Sequence, residues 1–455
     1  MANWLVLAIS GYILLQLAIA VAASRFINTE TDYLLAGRNL GTGLAAVSLF
    51  ATWFGAETVI GSSGIVAAEG LSGGRADPFG YTISLLLMAW LLAGQMRARG
   101  YVTMGDFFRE RFDRRAEKFA AIILIPTSVI WASAQILAFA SIITTVTSLS
   151  LATSLMFTVV IVVLYSTIGG MIGDVITDCV QGAVVIIGLV ILLYLVVDAA
   201  GGITPAFSSI GPERLRLFSR GESLLTRIDG WMIPILGSLV AQEAMARLLA
   251  AKSPRIARNA CFSAALIYIT VGSIPVLIGL TGASLIPPTA TQDAFLPALA
   301  TEVMPPVLHF VFLGALVSAI LSTIDSALLA VTALATHNLV IPVFPRITET
   351  GKLRLTRLFT VIAGITSYFI AVEGDSIFEL VQLSSSFGSA GVLICVIAGL
   401  YWNRGNPATA IATLITGIVM TLLGEYVIDF DAPYLTAVIA CGCIYTVGAL
   451  VWGRR

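Results

Sequence analysis

The sequence predicts an all-α polytopic membrane protein of about thirteen transmembrane helices, some of them discontinuous, and three observations carry that prediction. Hydrophobic residues make up 58% and charged residues 11% of the 455 positions, where a soluble chain carries about 25% charged residues. Mean hydropathy is +0.96. Apolar runs of about 20 residues recur along the chain, each long enough to cross about 30 Å of hydrocarbon as a helix. The formal net charge of −1 says little, because in such a protein the placement of charge matters more than its sum. No nucleic-acid partner is expected, and nothing in the sequence sets an oligomeric state.

The spans fall at 3–24, 42–68, 78–96, 119–146, 151–169, 175–198, 229–249, 259–286, 306–340, 357–373, 376–401, 406–425 and 432–452. The first, WLVLAISGYILLQLAIAVAA, is too long for a signal-peptide core and follows no basic residue, so it reads as a retained helix. The 306–340 stretch exceeds one crossing and is expected to extend beyond the membrane. No soluble domain is expected between or after the spans. The five cysteines (Cys179, Cys261, Cys395, Cys441 and Cys443) all lie in apolar segments, which argues against a disulfide framework. His309 and His337 stand apart in the sequence and read as packing or interfacial residues.

Orientation follows from basic residues in short loops. The 97–118 loop, rich in arginine from Arg97 to Arg115, is placed in the cytoplasm. Counting crossings puts Lys252, Arg255 and Arg258, then Arg346, Lys352, Arg354 and Arg357, then Arg454 and Arg455, on the same side. Asp293, Glu302, Glu425, Asp429 and Asp431 fall outside. Only the long 199–228 loop, with Arg214, Arg216, Arg220 and Arg227, opposes the trend. The expected topology has the N-terminus outside and the C-terminus cytoplasmic, in a plasma membrane of prokaryotic type.

Polar residues inside spans point to function. The second span carries Thr52, Gly55, Glu57, Gly61, Ser62, Ser63 and Gly64 among apolar residues, a candidate for a broken helix whose freed carbonyls line a cavity. Small residues for close helix packing are the competing reading, and mid-span Glu57 favours function. In SAILSTIDSALL (318–329), Ala319, Ser322, Thr323 and Ser326 share one helical face. That face offers hydroxyl oxygens to a hard cation such as Na+, or the hydroxyls bond back to the preceding turn; one helix alone does not decide. Buried acids need partners. Asp174 and Asp325 read as structural, paired with an arginine at the interface; for Asp178 an ion pathway and a structural pair both stand. Helix interruption, hydroxyl stripe and buried acids together argue a cation-coupled transporter. No metal-ligand cluster or nucleophile–base pair suggests an enzyme.

YLLAGRNLG (33–41), FATWFGAETVIG (50–61), GGMIGDVITDCVQG (169–182) and SAILSTIDSALL, in this order, resemble the sodium:solute symporter family. The resemblance implies a leucine-transporter-like fold with a five-plus-five inverted repeat. It divides the chain into a first helix and link (1–41), a first repeat (42–200), an extracellular loop (201–228), a second repeat (229–402) and two C-terminal helices (403–455). It implies a coupling Na+ on the carbonyls of Ala51, Phe54 and Ala319 and the hydroxyls of Ser322 and Thr323, with Asp178 in ion coupling. MRARGYVTMGDFF (96–108) and ATW (51–53) are similar to the high-affinity choline transporter branch, in which an aromatic cage holds a quaternary ammonium. Trp53, Tyr81 and Trp131 match cage positions, but the expected tryptophan of the seventh span is Ala241 here, followed by Gln242 and Glu243. The implied solute is a quaternary ammonium or amine contacted by Trp53, Glu57, Tyr81, Trp131 and Gln242. A sugar, amino acid or carboxylate held by Gln242, Gln382 or Ser384 to Ser386 is the alternative, and a transporter-like sensor a third reading.

Overall fold

A computed structural model describes residues 2–147, 149–219, 221–287, 292–374, 376–428 and 430–451. Arg220, Asp429, Arg454 and Arg455, used above for orientation, lie outside the described residues. The chain folds into helices: α1 (Ala2–Ser24), α2 (Thr42–Trp53), α3 (Tyr81–Met88), α4 (Arg114–Val146), α5 (Leu151–Ala199), α6 (Leu224–Met232), α7 (Gln242–Leu249), α8 (Pro254–Gly282), α9 (Pro306–Ala333), α10 (Glu349–Glu373), α11 (Ile377–Ser386), α12 (Ser389–Tyr401), α13 (Pro407–Tyr426) and α14 (Pro433–Val451).

Among the described residues nine helices are long and apolar enough to cross a membrane, and ten if the bent pair Leu224–Val240 and Gln242–Leu249 is one crossing. Thirteen crossings are compatible with this. The stretch Leu151–Ala199 has 49 residues, about 74 Å of helix at about 1.5 Å per residue, more than two membrane thicknesses. Gly170 (φ 50°, ψ −162°) breaks it into two helices through a conformation open to glycine and strained for other residues, compatible with the separate fifth and sixth spans of the sequence reading. Glu57–Ala98 likewise has 42 residues in one stretch, while α1 has 23 residues and α2 has 12.

Helix starts follow local chemistry. Asp113 accepts hydrogen bonds from the Arg115 and Ala116 N–H groups at 2.8 and 2.9 Å to cap α4, and Ser253 caps α8 ahead of Pro254 at its first position. The core forms where α9, buried along its second half, packs between α4 and α5, and where α8 packs on α2. At the end the sequence assigns to the cytoplasm, His337 does not stand alone as expected. Its ring bridges Glu30 Oε1 at 2.9 Å and Asp106 Oδ1 at 3.2 Å, while Asn338 bonds Glu117 at 2.8 Å. The cysteines Cys179, Cys261, Cys395, Cys441 and Cys443 are free thiols.

Candidate functional site

Two helices break at the same level. α2 stops at Trp53, Phe54 takes a non-helical conformation (φ −80°, ψ 61°), and the helix resumes at Glu57. The second break lies at Ala241 (φ −61°, ψ 127°), where the axis bends by 43°. Each interruption frees backbone groups that need partners. Gln135 on α4 supplies one: its Oε1 accepts the Ala56 N–H at 2.8 Å.

Opposite the first break, α9 presents its hydroxyl face. The hydroxyl oxygens of Ser322 and Thr323 each lie 3.4 Å from the Ala51 carbonyl oxygen, and the Thr323 hydroxyl donates to the Ala319 carbonyl at 3.2 Å. Gly55 permits this approach. A Cβ there would lie 2.7 Å from Thr323 Oγ1 and 2.5 Å from Gln135 Oε1. The structure thus brings Ala51, Ala319, Ser322 and Thr323 together, with Phe54 at the break beside them. The back-bonding expected of hydroxyls in a membrane helix is also present, at Thr323 to Ala319 and at Ser326 to Ser322 (2.9 Å).

Asp178 joins the same cluster. Ser322 donates to its Oδ1, and Ser48 donates to its Oδ2 at 2.5 Å. Beyond it stands Arg247, 0% exposed, whose guanidinium pairs with Asp174, bonds Ser326 and lies 3.9 Å from Asp178 Oδ2. Asp174 therefore does pair with an arginine, but deep in the bundle and not at an interface. Asp325 is buried with Oδ1 unpartnered among the described residues. An isolated carboxylate or guanidinium in hydrocarbon is costly, and gathering them around one another and several hydroxyls offsets that cost.

A separate small cavity lies between the two breaks. Trp53, Tyr81 and Trp131 line it, as do Ala241, Glu243, Ser384 and Ser385. The rings of Trp53 and Tyr81 sit 5.5 Å apart. One wall is main chain: a Cβ on Gly237 would lie 2.3 Å from the Ser385 carbonyl oxygen. Two residues expected to contact the solute, Gln242 and Glu57, do not line this cavity. Gln242 Oε1 accepts the Met104 N–H at 2.8 Å, because α7 turns that side chain toward the start of the short helix Met104–Arg111. Glu57 sits behind the ring of Tyr81, accepting its hydroxyl at 2.9 Å, next to a buried group in which Thr58 and Tyr268 bond Asp77 at 2.6 and 2.9 Å. Sequence reasoning did not single out Arg247, Gln135 or Ser48. An arginine inside an apolar span was a readable signal for the first; the other two carry none.

The family model for the sodium:solute symporter family matches residues 33–417. The chain belongs to the sodium:solute symporter family. It is therefore a Na+-coupled symporter of a small organic solute. Among curated relatives of this symporter, high-affinity choline transporter 1 of Caenorhabditis elegans is 25% identical over 86% of this chain and 71% of that protein. The sodium/pantothenate symporter of Escherichia coli (strain K12) is 26% identical over 91% and 89%. The osmoregulated proline transporter of Bacillus subtilis (strain 168) is 25% identical over 92% and 88%. A solved Na+-coupled sialic acid symporter in a substrate-bound outward-open state superposes with a TM-score of 0.88 at 18% identity, covering 100% of this chain and 98% of that one. A nucleobase-cation-symport-1 family transporter in a closed conformation gives 0.65 at 16%, covering 93% and 94%. These likenesses establish the leucine-transporter-like fold of the symporter.

Proposed function

We propose that the coupling Na+ is held between α2 and α9 by the carbonyls of Ala51, Phe54 and Ala319 and the hydroxyls of Ser322 and Thr323. The observation that carries this reading is the convergence of two hydroxyls from α9 on one carbonyl of α2 at 3.4 Å. Oxygen donors without formal charge suit a hard cation that must leave again. Asp178, bonded to Ser322, links the ion to the buried charges behind it and acts in ion coupling. The solute is a small organic cation, a quaternary ammonium or an amine, received among Trp53, Tyr81 and Trp131, whose ring faces attract cations in a desolvated site. Ser384 and Ser385 on the same cavity support a polar neutral solute as the second reading. The two five-helix repeats, 42–200 and 229–402, rock about this level, and the protein lies in a prokaryotic plasma membrane with its N-terminus outside.

The test is uptake by purified protein in proteoliposomes under an inward Na+ gradient, against a panel of choline, betaine, proline, sugars and carboxylates. Uptake that persists without Na+, or that survives Ser322→Ala with Thr323→Ala at unchanged Na+ dependence, overturns the ion site. Uptake confined to sugars or carboxylates overturns the organic-cation reading.

A further inference from the structure

Glu243 is the one acid among the residues that line the solute cavity, and no base lines it beside Glu243. Glu243 lines the cavity and is 5% exposed. Its carboxylate accepts a hydrogen bond from Ser128 at 3.2 Å and one from the Trp53 side chain. Both donors are neutral. Among the described residues no Lys, Arg or His nitrogen lies within 4.0 Å of it. Arg247, one turn further along α7, reaches only the Glu243 main-chain carbonyl at 3.4 Å and turns its guanidinium toward Asp174 and Asp178. The other residues lining the cavity include no base. Arg247 therefore acts on the Glu243 carboxylate only at a distance, and a buried carboxylate without a direct ion pair favours a ligand that supplies one.

A second unpaired group faces the same space. The Trp131 indole Nε1–H is buried and has no acceptor among the described residues, and Trp131 lines the cavity. A buried donor left alone costs about 1–3 kcal/mol, so a solute that brings an acceptor is favoured. Ala241, where the resemblance led to an expected tryptophan, lines the same cavity.

We infer that Glu243 is the specificity-determining residue of the solute site, and that the solute is a protonated primary or secondary amine carrying a neutral hydrogen-bond acceptor. The inference rests on the cavity being the solute site, as proposed above. An ammonium N–H replaces the water that the carboxylate gives up, which a fully methylated nitrogen cannot do. A zwitterion or anion brings a negative group to a cavity whose one formal charge is already negative, and no arginine or lysine lines it to receive that group. The acceptor, a hydroxyl or carbonyl, takes the Trp131 N–H.

Ethanolamine, N-methylethanolamine, N,N-dimethylethanolamine and choline share charge and hydroxyl and differ in the number of N–H donors, so they separate the effects. Na+-driven tracer uptake in proteoliposomes is expected for the first two, with choline weaker by about ten-fold or more in apparent affinity. Glu243→Gln is expected to remove this preference and weaken the amines by a similar factor, while Na+-induced thermal stabilisation of the purified variant stays as in the wild type. Choline carried as well as ethanolamine, or amine affinity within about two-fold of wild type in Glu243→Gln, overturns the inference. So does an absence of uptake for all four compounds. Uptake unaffected by both Trp53→Ala and Trp131→Ala shows instead that the cavity is not the solute site. Uptake lost in those variants and kept in Glu243→Gln sinks only the amine assignment.

Discussion

Ser322 donates its hydroxyl to Asp178 while lying 3.4 Å from the Ala51 carbonyl. A single side chain thus touches both the interrupted helix and the buried charge cluster. Asp178→Asn keeps the shape and removes the charge. It is expected to raise the half-saturating Na+ concentration for uptake by about ten-fold, the equivalent of about 1.4 kcal/mol, with solute affinity at saturating Na+ little changed. An unchanged Na+ titration would remove Asp178 from ion coupling.

Gly55 is predicted to be intolerant of a methyl group. The added Cβ meets Thr323 Oγ1 at 2.7 Å and Gln135 Oε1 at 2.5 Å, so Gly55→Ala must displace the Gln135 amide and the Thr323 hydroxyl from the break. A loss of about 1–3 kcal/mol is expected from such overpacking, read as a lower melting midpoint, together with a weakened Na+ response. A variant that melts and titrates like wild type would show that the break has room to spare.

Arg247 answers the charge of Asp174 and stands 3.9 Å from Asp178. Removing one partner of a buried pair costs about 3–5 kcal/mol, whereas replacing both by apolar groups is often neutral. Arg247→Met should therefore be poorly folded in detergent, as judged by size-exclusion profile and thermal midpoint. Adding Asp174→Leu should recover part of the loss, and only part, because Asp178 remains. Full recovery would mean that Asp178 does not depend on the guanidinium.

Acid should loosen the end of the bundle where His337 meets Glu30 and Asp106. Burial works against ionisation of Asp106, but the His337 ring, the Val102 N–H and Arg109 outweigh it and hold the carboxyl below its ordinary range. A carboxyl whose value falls on folding adds stability that is present above its unfolded value of about 3.9 and is lost as pH falls through the lower folded value. The melting midpoint of the wild type should drop across that acidic window. Asp106→Asn should be less stable near neutral pH and show a shallower acid slope; an identical slope would exclude Asp106 from the effect.

The long apolar helices were readable because hydrophobic run length is set by the bilayer itself, and that constraint does not depend on tertiary context. The break at Phe54 and the hydroxyl face of Ser322 and Thr323 were also legible, since glycine, hydroxyls and helical spacing are local signals. Gln242 and Glu57 do not line the cavity that Trp53, Tyr81 and Trp131 line, and spacing could not show this because the rotation of a helix beyond a break depends on what it packs against. The turn at Ala241 sends Gln242 to Met104 and leaves Glu243 on the cavity. His337 belonged to a partnership of segments 307 and 231 residues distant, Glu30 and Asp106, for which no spacing rule exists. Asp174 was matched with an arginine in kind, yet its depth came only from the packing of α7 against α9.

Gly237 and Ser385 meet as bare backbone at the edge of the cavity. A door closed by a large side chain can open when that side chain swings; this one has no such leaf. Its aperture is fixed by the distance between two rods, so passage along that edge requires the helices to separate bodily. A methyl group on Gly237 would act as a wedge that holds the door ajar.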